Sequence, residues 1–281
     1  MGERGADRTR RRPLTQGVAG PFAAAIARLL DALGSVVLAP SCAACDELLE
    51  HPTRGPVCDR CWRSILPLTP PLCDRCGDQL PTWRAISTAL ACCARCRRTA
   101  RAVDRARAIG AYDGALRAVI HALKYDGRRS LARPIAAMMR SRGGEIIDGA
   151  ACAVPVPLHG SRRRHRGFNQ ADDLARHLGL PVVRALRRTR ATATQTGLPA
   201  ARRHRNVRDA FALTRAARSL AGSIVVLVDD VSTTGATLDA CARVLKEAAG
   251  VREVRALTAA RVNAPGLGDR ARGQGLGASP D

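Results

Sequence analysis

Eight cysteines arranged as four Cys-x-x-Cys pairs are the strongest constraint on how this 281-residue chain can fold. The pairs are Cys42/Cys45, Cys58/Cys61, Cys73/Cys76 and Cys93/Cys96. Two residues between thiols let both sulfurs of a tight turn face one tetrahedral ion. Four pairs therefore predict two closed sites, each holding Zn²⁺ with four cysteines. Because every ligand is a cysteine, no labile position remains, so the predicted zinc ions are structural rather than catalytic.

The sequence leaves open which pairs share an ion. Pairing in chain order encloses loops of 12 and 16 residues, and an interleaved order would also give two four-cysteine sites. Disulfides are the alternative chemistry, which a reducing cytosol disfavours. Cys92 could replace Cys93 only by giving up the two-residue spacing to Cys96. Cys152 and Cys241 lie in apolar strand and helix patterns and are predicted to be small core residues.

The charge of the chain is strongly positive. It has 46 Lys and Arg against 24 Asp and Glu, a formal net charge of +22, which excludes an electrically neutral surface. Residues 22–40 form the best apolar stretch, but Arg28 and Asp31 interrupt it, so we expect no membrane span. Arg10-Arg11-Arg12 could mimic a twin-arginine export signal, yet the same two charges argue against export. We therefore expect a cytoplasmic protein.

Beyond Cys96, strand and helix patterns alternate. Strands are predicted over residues 105–112, 151–156, 224–228 and 253–262, and helices over 115–124, 131–140, 169–178 and 236–249. The continuous apolar run at 224–228 is typical of a central parallel strand covered on both faces. This alternation predicts an α/β fold with a mostly parallel sheet and flanking helices.

One stretch, residues 225–237, carries the chemistry. A buried strand leads into Asp229 and Asp230, then into a hydroxyl-rich turn and a helix start. Such a turn presents backbone N–H groups at a helix N-terminus, where an anion is favoured. The paired carboxylates are acceptors suited to vicinal sugar hydroxyls, so the stretch predicts a site for a ribose and its 5′-phosphate. The predicted phosphate contacts are Ser232, Thr233, Thr234, Gly235, Ala236 and Thr237. A plain capped helix, with Asp230 and Thr233 serving only its start, is the alternative.

This stretch resembles the thirteen-residue phosphoribosyl pyrophosphate (PRPP) fingerprint of type I phosphoribosyltransferases. Ser232 departs from that pattern, because an apolar residue is common there. The resemblance implies that Asp229 and Asp230 position the ribose during catalysis, and that Mg²⁺ binds together with PRPP. Relatives that salvage purines place an acid where this chain has Thr233, so a hypoxanthine or guanine acceptor is disfavoured.

Two further sequence motifs, which we call blocks, make the resemblance more specific: they resemble motifs of the ComF family. Residues 154–158, Val-Pro-Val-Pro-Leu, followed by Arg-Gly-Phe-Asn-Gln at 166–170, look like one family block. Residues 189–195, with Leu198, Arg203, Asn206 and Ala210-Phe211, are similar to a second. Lys124-Tyr125 also matches a common family block, with its role left open.

The resemblance implies an organisation for the whole chain. A zinc-finger-bearing protein with a type I phosphoribosyltransferase-like domain, linked to competence and DNA uptake, is expected. The boundaries predicted are a disordered basic tail over 1–20, an amphipathic helix over 21–41, a small double zinc-ribbon module over 42–100, the phosphoribosyltransferase-like domain over 101–263 and a disordered tail over 264–281.

The remaining site predictions concern basic and polar groups. Arg162, Arg163 and Arg166 are predicted to grip the pyrophosphate of PRPP, although the same run could be a solvated or nucleic-acid-facing surface. A hood over the substrate is predicted to contain Arg190, Gln195, Arg203 and Asn206. A simple amphipathic surface helix explains that stretch equally well.

Three functions fit these features. The first is Mg²⁺-dependent transfer of a phosphoribosyl group from PRPP to an unidentified nitrogen acceptor, such as a nucleobase. The second is a non-catalytic sensor of PRPP or a nucleotide. The third is a zinc-finger protein that binds single-stranded DNA or the DNA-uptake machinery through its basic surface.

Overall fold

A four-stranded parallel sheet organises the larger part of the chain. The computed structural model describes residues 40–80, 91–189 and 210–262. The sheet contains β1 (Arg105–Ala108), β2 (Cys152–Pro155), β5 (Ile224–Ser232) and β6 (Glu253–Arg261), in the spatial order β1-β6-β5-β2. A separate antiparallel pair joins β3 (Leu186–Arg188) to β4 (Phe211–Leu213). The predicted parallel α/β fold is confirmed.

Eight α-helices accompany the strands in the described residues. They are α1 (Asp59–Arg63), α2 (Ala94–Arg98), α3 (Gly114–Tyr125), α4 (Ala132–Arg142), α5 (Gly144–Ile147), α6 (Gly160–Arg166), α7 (Gln170–Ala175) and α8 (Ala236–Ala249). Three 3-10 turns lie at Pro52–Arg54, Arg129–Leu131 and Arg215–Leu220. Within the described ranges, no helix is both long and apolar enough to span a membrane.

The sheet separates two hydrophobic cores. Alternate residues of a strand point to opposite faces. On β5, Val226 and Val228 pack with α3, α4 and α7, whereas Val225 and Leu227 pack with α8. All four side chains are fully buried, as expected for a central strand covered on both faces. Cys152 and Cys241 are buried in the second core, as predicted.

Several element boundaries differ from the sequence prediction. The strand predicted over 105–112 ends at Ala108, although the chain stays beside β6: Ala111 forms a parallel bridge with Arg261, and Tyr112 N donates to Arg261 O at 2.7 Å. The helix predicted over 169–178 is only Gln170–Ala175. The strand predicted to end at 228 continues to Ser232, because β6 pairs with it as far as Arg261. The predicted tails and most of the predicted helix at 21–41 lie outside the described residues.

Residues 40–98 contain two copies of one small unit. In each copy a tight hairpin carries the first cysteine pair, and the second pair lies at the N-terminus of a short helix. Cys42 N donates to Glu47 O at 2.8 Å, and Cys73 N donates to Asp78 O at 2.7 Å. Cys58 is the N-cap residue of α1, and Cys93 is the N-cap residue of α2. We call the unit around Cys42 the first ribbon and the unit around Cys73 the second ribbon.

The two ribbons dock differently on the sheet domain. The first ribbon contributes Val57, Cys61 and Ile65 to the core that also contains α3 and α4. The second ribbon lies against the edge strand β1, where Ala106 N donates to Arg75 O at 2.8 Å. Because an unpaired edge strand invites non-native pairing, this contact also protects the sheet.

Candidate functional site

The eight paired cysteines form two clusters. Cys42, Cys45, Cys58 and Cys61 make one, and Cys73, Cys76, Cys93 and Cys96 make the other; in each, the four sulfurs lie within 4.8 Å of one another. Sulfurs 2.3 Å from one tetrahedral ion are about 3.8 Å apart. The Cys45–Cys58 and Cys76–Cys93 sulfur distances are 3.9 and 3.7 Å. Each cluster combines two pairs that are consecutive in the chain, so the interleaved pairing is wrong. All eleven cysteines are free thiols, so the disulfide alternative is wrong as well.

The predicted sugar-phosphate stretch lies where β5 passes into α8, at the carboxyl edge of the sheet. Asp229 and Asp230 lie near the end of strand β5. Gly235 is the N-cap residue of α8, with φ 78°. That positive φ favours glycine, which has no Cβ to clash with the backbone. We call residues 232–237 the phosphate loop. Thr234 Oγ1 accepts the Ala236 N–H at 3.3 Å, so this hydroxyl serves as a helix cap. Thr233 is exposed and Thr237 half-buried.

Lys124 neutralises one of the two acids. Its Nζ lies 2.8 Å from Asp230 Oδ1, and both side chains are largely buried. Burial opposes the charge of Lys124, but attraction to Asp230 and then to Asp229 outweighs it and raises the pKa of this lysine. Lys124 is the penultimate residue of α3, which therefore delivers a cation to the end of β5.

The other acid, Asp229, has a raised pKa and so favours its protonated form. Burial, followed by the negative charge of Asp230, raises the pKa of Asp229 from 3.8 to about 7. A hydrogen bond from Asp230 N at 2.9 Å and the charges of Lys124 and Arg188 act in the opposite direction and only partly compensate. The pair therefore consists of one ion-paired carboxylate, Asp230, and one carboxyl, Asp229, whose pKa is raised toward neutral pH.

The predicted pyrophosphate arginines lie on α6, and two of them interact with neighbours of the acid pair. The Arg166 guanidinium lies 4.8 Å from the centre of the Tyr125 ring, next to Lys124 in the chain. Burial and then the charge of Arg162 lower the pKa of Arg188, which itself interacts electrostatically with Asp229. Arg162 and Arg166 thus share the surroundings of the acid pair.

Arg163 is exposed and faces another cavity. That cavity has a volume of ≈660 Å³, and its lining includes Phe168, Asp172, Asp173 and Arg184 but no residue of the phosphate loop. Both of these acids are ion-paired, Asp172 with Arg184 at 2.6 Å and Asp173 with Arg129 at 2.7 Å. The predicted hood residues Arg190, Gln195, Arg203 and Asn206 lie outside the described residues.

Sequence reasoning missed Arg188 and Arg101, and it left the role of Lys124 open. Arg188 lies in a run of basic residues at the end of β3, where the sequence does not distinguish it from its neighbours. Arg101 lies between the zinc module and β1, and its guanidinium contacts the Thr234 carbonyl. Only the matching Lys124-Tyr125 block offered a signal for any of the three.

Comparison with known proteins agrees with this geometry. The chain matches the phosphoribosyl transferase domain over residues 164–272 and the double zinc ribbon domain over residues 33–97. It is 32% identical to competence protein F of Haemophilus influenzae over 179 residues, covering 60% of this chain and 78% of that protein. It is 35% identical to DNA utilization protein YhgH of Salmonella typhimurium, covering 54% of this chain and 70% of that one. The two cysteine clusters are thus structural Zn²⁺ sites of a double zinc ribbon.

Among solved structures, a hypoxanthine phosphoribosyltransferase from Staphylococcus aureus aligns with 17% identity and a TM-score of 0.27, covering 45% of this chain and 62% of that one.

Proposed function

The chain belongs to the ComF family, that of competence protein F and DNA utilization protein YhgH, and we propose that it binds PRPP and transfers its phosphoribosyl group to a nitrogen acceptor. The observation that carries the proposal is the pair Asp229-Asp230 beside a phosphate loop at the carboxyl edge of a parallel sheet. In open α/β sheets, ligands bind at this edge. The names of the relatives support a role in competence or DNA use.

The groups around the acids suit the parts of PRPP. The phosphate loop would hold the 5′-phosphate, because a helix N-terminus favours an anion. Asp229 and Asp230 would accept hydrogen bonds from the ribose hydroxyls. Arg162 and Arg166, with Arg188 behind them, would face the pyrophosphate, where guanidinium groups bind phosphate oxygens in a bidentate manner. Mg²⁺, when bound with PRPP, would neutralise charge on the leaving pyrophosphate.

The proposed reaction is a displacement at C1 of the ribose. The acceptor nitrogen forms a bond to C1 while the bond from C1 to the pyrophosphate oxygen breaks, and its electron pair leaves with pyrophosphate. The nitrogen then loses its proton to solvent. Positive charge on the ribose and negative charge on pyrophosphate both grow in the transition state, so Asp229 and the arginines stabilise it electrostatically. Thr233 is exposed and cannot assist as an acid, which disfavours hypoxanthine and guanine as acceptors.

Calorimetric titration of the zinc-loaded protein with PRPP and Mg²⁺ tests binding. We expect saturable binding that Asp230→Asn abolishes, while Asp126→Asn, a change at an exposed acid beside Tyr125, leaves it intact. Absence of heat from the wild-type protein would refute the proposal. Release of pyrophosphate with a panel of nitrogen acceptors then distinguishes an enzyme from a sensor, because a sensor binds PRPP without turnover.

A basic groove favours a second function, binding of single-stranded DNA. The groove has a volume of ≈970 Å³ and lies between the first ribbon and helices α4 and α7. None of its lining residues is acidic, and its basic and aromatic members are Arg54, Arg129, Arg133, Arg140, Arg176, His177 and Trp62. Arginines can contact phosphates and a tryptophan can stack on a base, which is how single strands are bound without sequence preference.

Salt dependence tests the groove. Binding of an oligothymidylate should weaken as NaCl rises, with a slope that reports the number of phosphate contacts. Arg133→Glu should weaken binding and make the slope shallower by about one contact. Arg252→Glu, at an exposed arginine remote from the groove lining, is the matched control. Equal effects of the two changes would assign DNA binding to net charge rather than to the groove.

A further inference from the structure

Arg101 connects the zinc module to the phosphate loop. It lies five residues after the zinc ligand Cys96 and three after the end of α2. Its side chain is only 5% exposed. Nη1 lies 2.8 Å from Asp239 Oδ2, on the first turn of α8, and Nη2 donates to the Thr234 carbonyl oxygen at 3.1 Å. A single buried guanidinium therefore binds both the loop and the helix that follows it.

Placing the charged Arg101 guanidinium in this buried position costs free energy, which an interaction with a negative group must offset. The N-terminus of a helix is its positive end, so a buried positive charge there is unfavourable without a partner. Asp239 supplies the partner, and it also accepts the Val103 N–H at 3.4 Å. A Cβ at Gly235 would lie 2.7 Å from Arg101 Nη1, so this glycine also leaves room for the guanidinium. Gly235 and Asp239 therefore accommodate the Arg101 guanidinium, one by leaving space and the other by supplying the opposite charge.

The contact fixes the orientation of one peptide group. Among the described residues, only the Pro70–Pro71 bond is cis, so the Thr234–Gly235 peptide is trans. In a planar trans peptide the carbonyl and the N–H point in opposite directions. The Thr234 carbonyl points toward Arg101, so the N–H of Gly235, in the same peptide group, points away from Arg101. A backbone N–H at a helix N-terminus is the kind of donor that binds an anion.

A second contact joins the same ribbon to the same edge of the sheet. Arg261, the last residue of β6, pairs with Asp78 of the second ribbon, and Asp78 also accepts from Arg95 Nη2 at 2.8 Å. Arg261 is the register partner of Ser232, the first residue of the phosphate loop. One side-chain link therefore reaches the loop at Thr234 from the chain that follows the second ribbon, and another joins that ribbon to the strand that pairs with the start of the loop.

We infer that Arg101 is a positioning residue that makes the phosphate loop competent for PRPP only when the second ribbon is folded around its zinc. The inference rests on the proposed function. Zinc would fix Cys93, the N-cap residue of α2, together with Cys96 inside that helix, and α2 in turn leads into the chain from which Arg101 reaches the loop. Loss of that zinc should release Arg101 and lower the affinity for PRPP without any change to a group that touches the ligand.

Two arginines of the same interface provide the test and its control. Arg107 also connects the second ribbon to the sheet, with Nη1 donating to the Asp74 carbonyl at 3.2 Å and Nε paired with Glu145, and neither partner belongs to the phosphate loop. We expect Arg101→Met to weaken PRPP binding about tenfold, with two zinc ions per chain retained. Arg101→Lys, which keeps the charge but cannot reach both acceptors in the same way, should give a smaller loss. Arg107→Met should leave PRPP affinity unchanged.

Hydrogen exchange of the ligand-free proteins separates this inference from the proposed function. The amides of residues 232–236 should exchange faster in Arg101→Met than in Arg107→Met. If wild-type protein binds no PRPP, the proposed function fails, and the inference that depends on it fails with it. If wild type binds PRPP but the two variants bind it equally well, or the loop exchanges equally in both, Arg101 has no positioning role and the proposed function stands.

Discussion

The raised pKa of Asp229 predicts a pH-dependent cost to the stability of the ligand-free protein. Its pKa is about 7 in the folded chain against 3.8 ordinarily, so between these values the folded state holds a proton that the unfolded state has lost. Stability then falls as pH rises through this window and becomes constant above it. At about 1.4 kcal/mol per pH unit, the full difference is at most ~4 kcal/mol.

Asp229→Asn isolates this effect, because an amide has the shape of the acid and no charge at any of these pH values. Its Oδ1 can still accept the Asp230 N–H. Between pH 6 and pH 8.5, where the zinc thiolates remain bound, the free energy of unfolding of wild type should fall by ~1.4 kcal/mol relative to that of the variant. For a chain of this size, that corresponds to roughly 3–6 °C in Tm.

Thermal or urea unfolding of the zinc-saturated proteins at several pH values measures the difference. The stability advantage of Asp229→Asn should grow with pH and level off above pH 8. Asp126→Asn should follow wild type at every pH, because this acid is exposed. If the gap between Asp229→Asn and wild type stays constant within about 0.3 kcal/mol from pH 6 to 8.5, Asp229 is ionised throughout and our reading of the acid pair is incorrect.

Three further changes test the packing of the fold. Lys124→Met leaves the buried Asp230 carboxylate without its ion-pair partner, so urea unfolding should show a loss of about 3 kcal/mol, and a loss below 1 kcal/mol would contradict a buried ion pair. Gly143→Ala places a Cβ 2.5 Å from Leu257 Cδ1 and 2.7 Å from the Met139 carbonyl oxygen, so the same assay should show a loss of about 1–3 kcal/mol, and no loss would contradict this packing. Cys61→Ser removes a ligand that also packs in the main core, so mass spectrometry should find one zinc per chain and Tm should fall; two retained zinc ions would contradict the assigned ligand set.

Features encoded within a short stretch of chain were predictable from the sequence. The zinc ligands follow from local spacing, because two residues between cysteines already bring the sulfurs together. The strand before the phosphate loop, the loop itself and the helix after it are likewise continuous in the sequence. By contrast, helix α6 was missed because its run of basic residues has no apolar periodicity. Strands β3 and β4 have three residues each, too few for an alternating pattern.

Contacts between distant parts of the chain were not predictable. Lys124 and Asp230 are 106 residues apart, and Arg101 and Thr234 are 133 apart. Each depends on how a helix or a linker is placed against the sheet, which no local pattern specifies. With 46 Lys and Arg in the chain, basic side chains are too frequent for charge alone to single out these two.

The same long-range contacts explain how two adjacent acids are compatible with the proposed binding of a polyanion. Two free carboxylates at the carboxyl edge would repel both each other and an incoming pyrophosphate. Here Lys124 cancels the charge of Asp230, and burial favours the protonated form of Asp229 by raising its pKa. Arg188 and Arg162 add positive charge beside them. The ligand-free site is therefore neutral or positive rather than doubly negative. When a cation approaches Asp229, the proton can leave to solvent and the cation takes its place, after which a ribose hydroxyl can donate a hydrogen bond to the carboxylate.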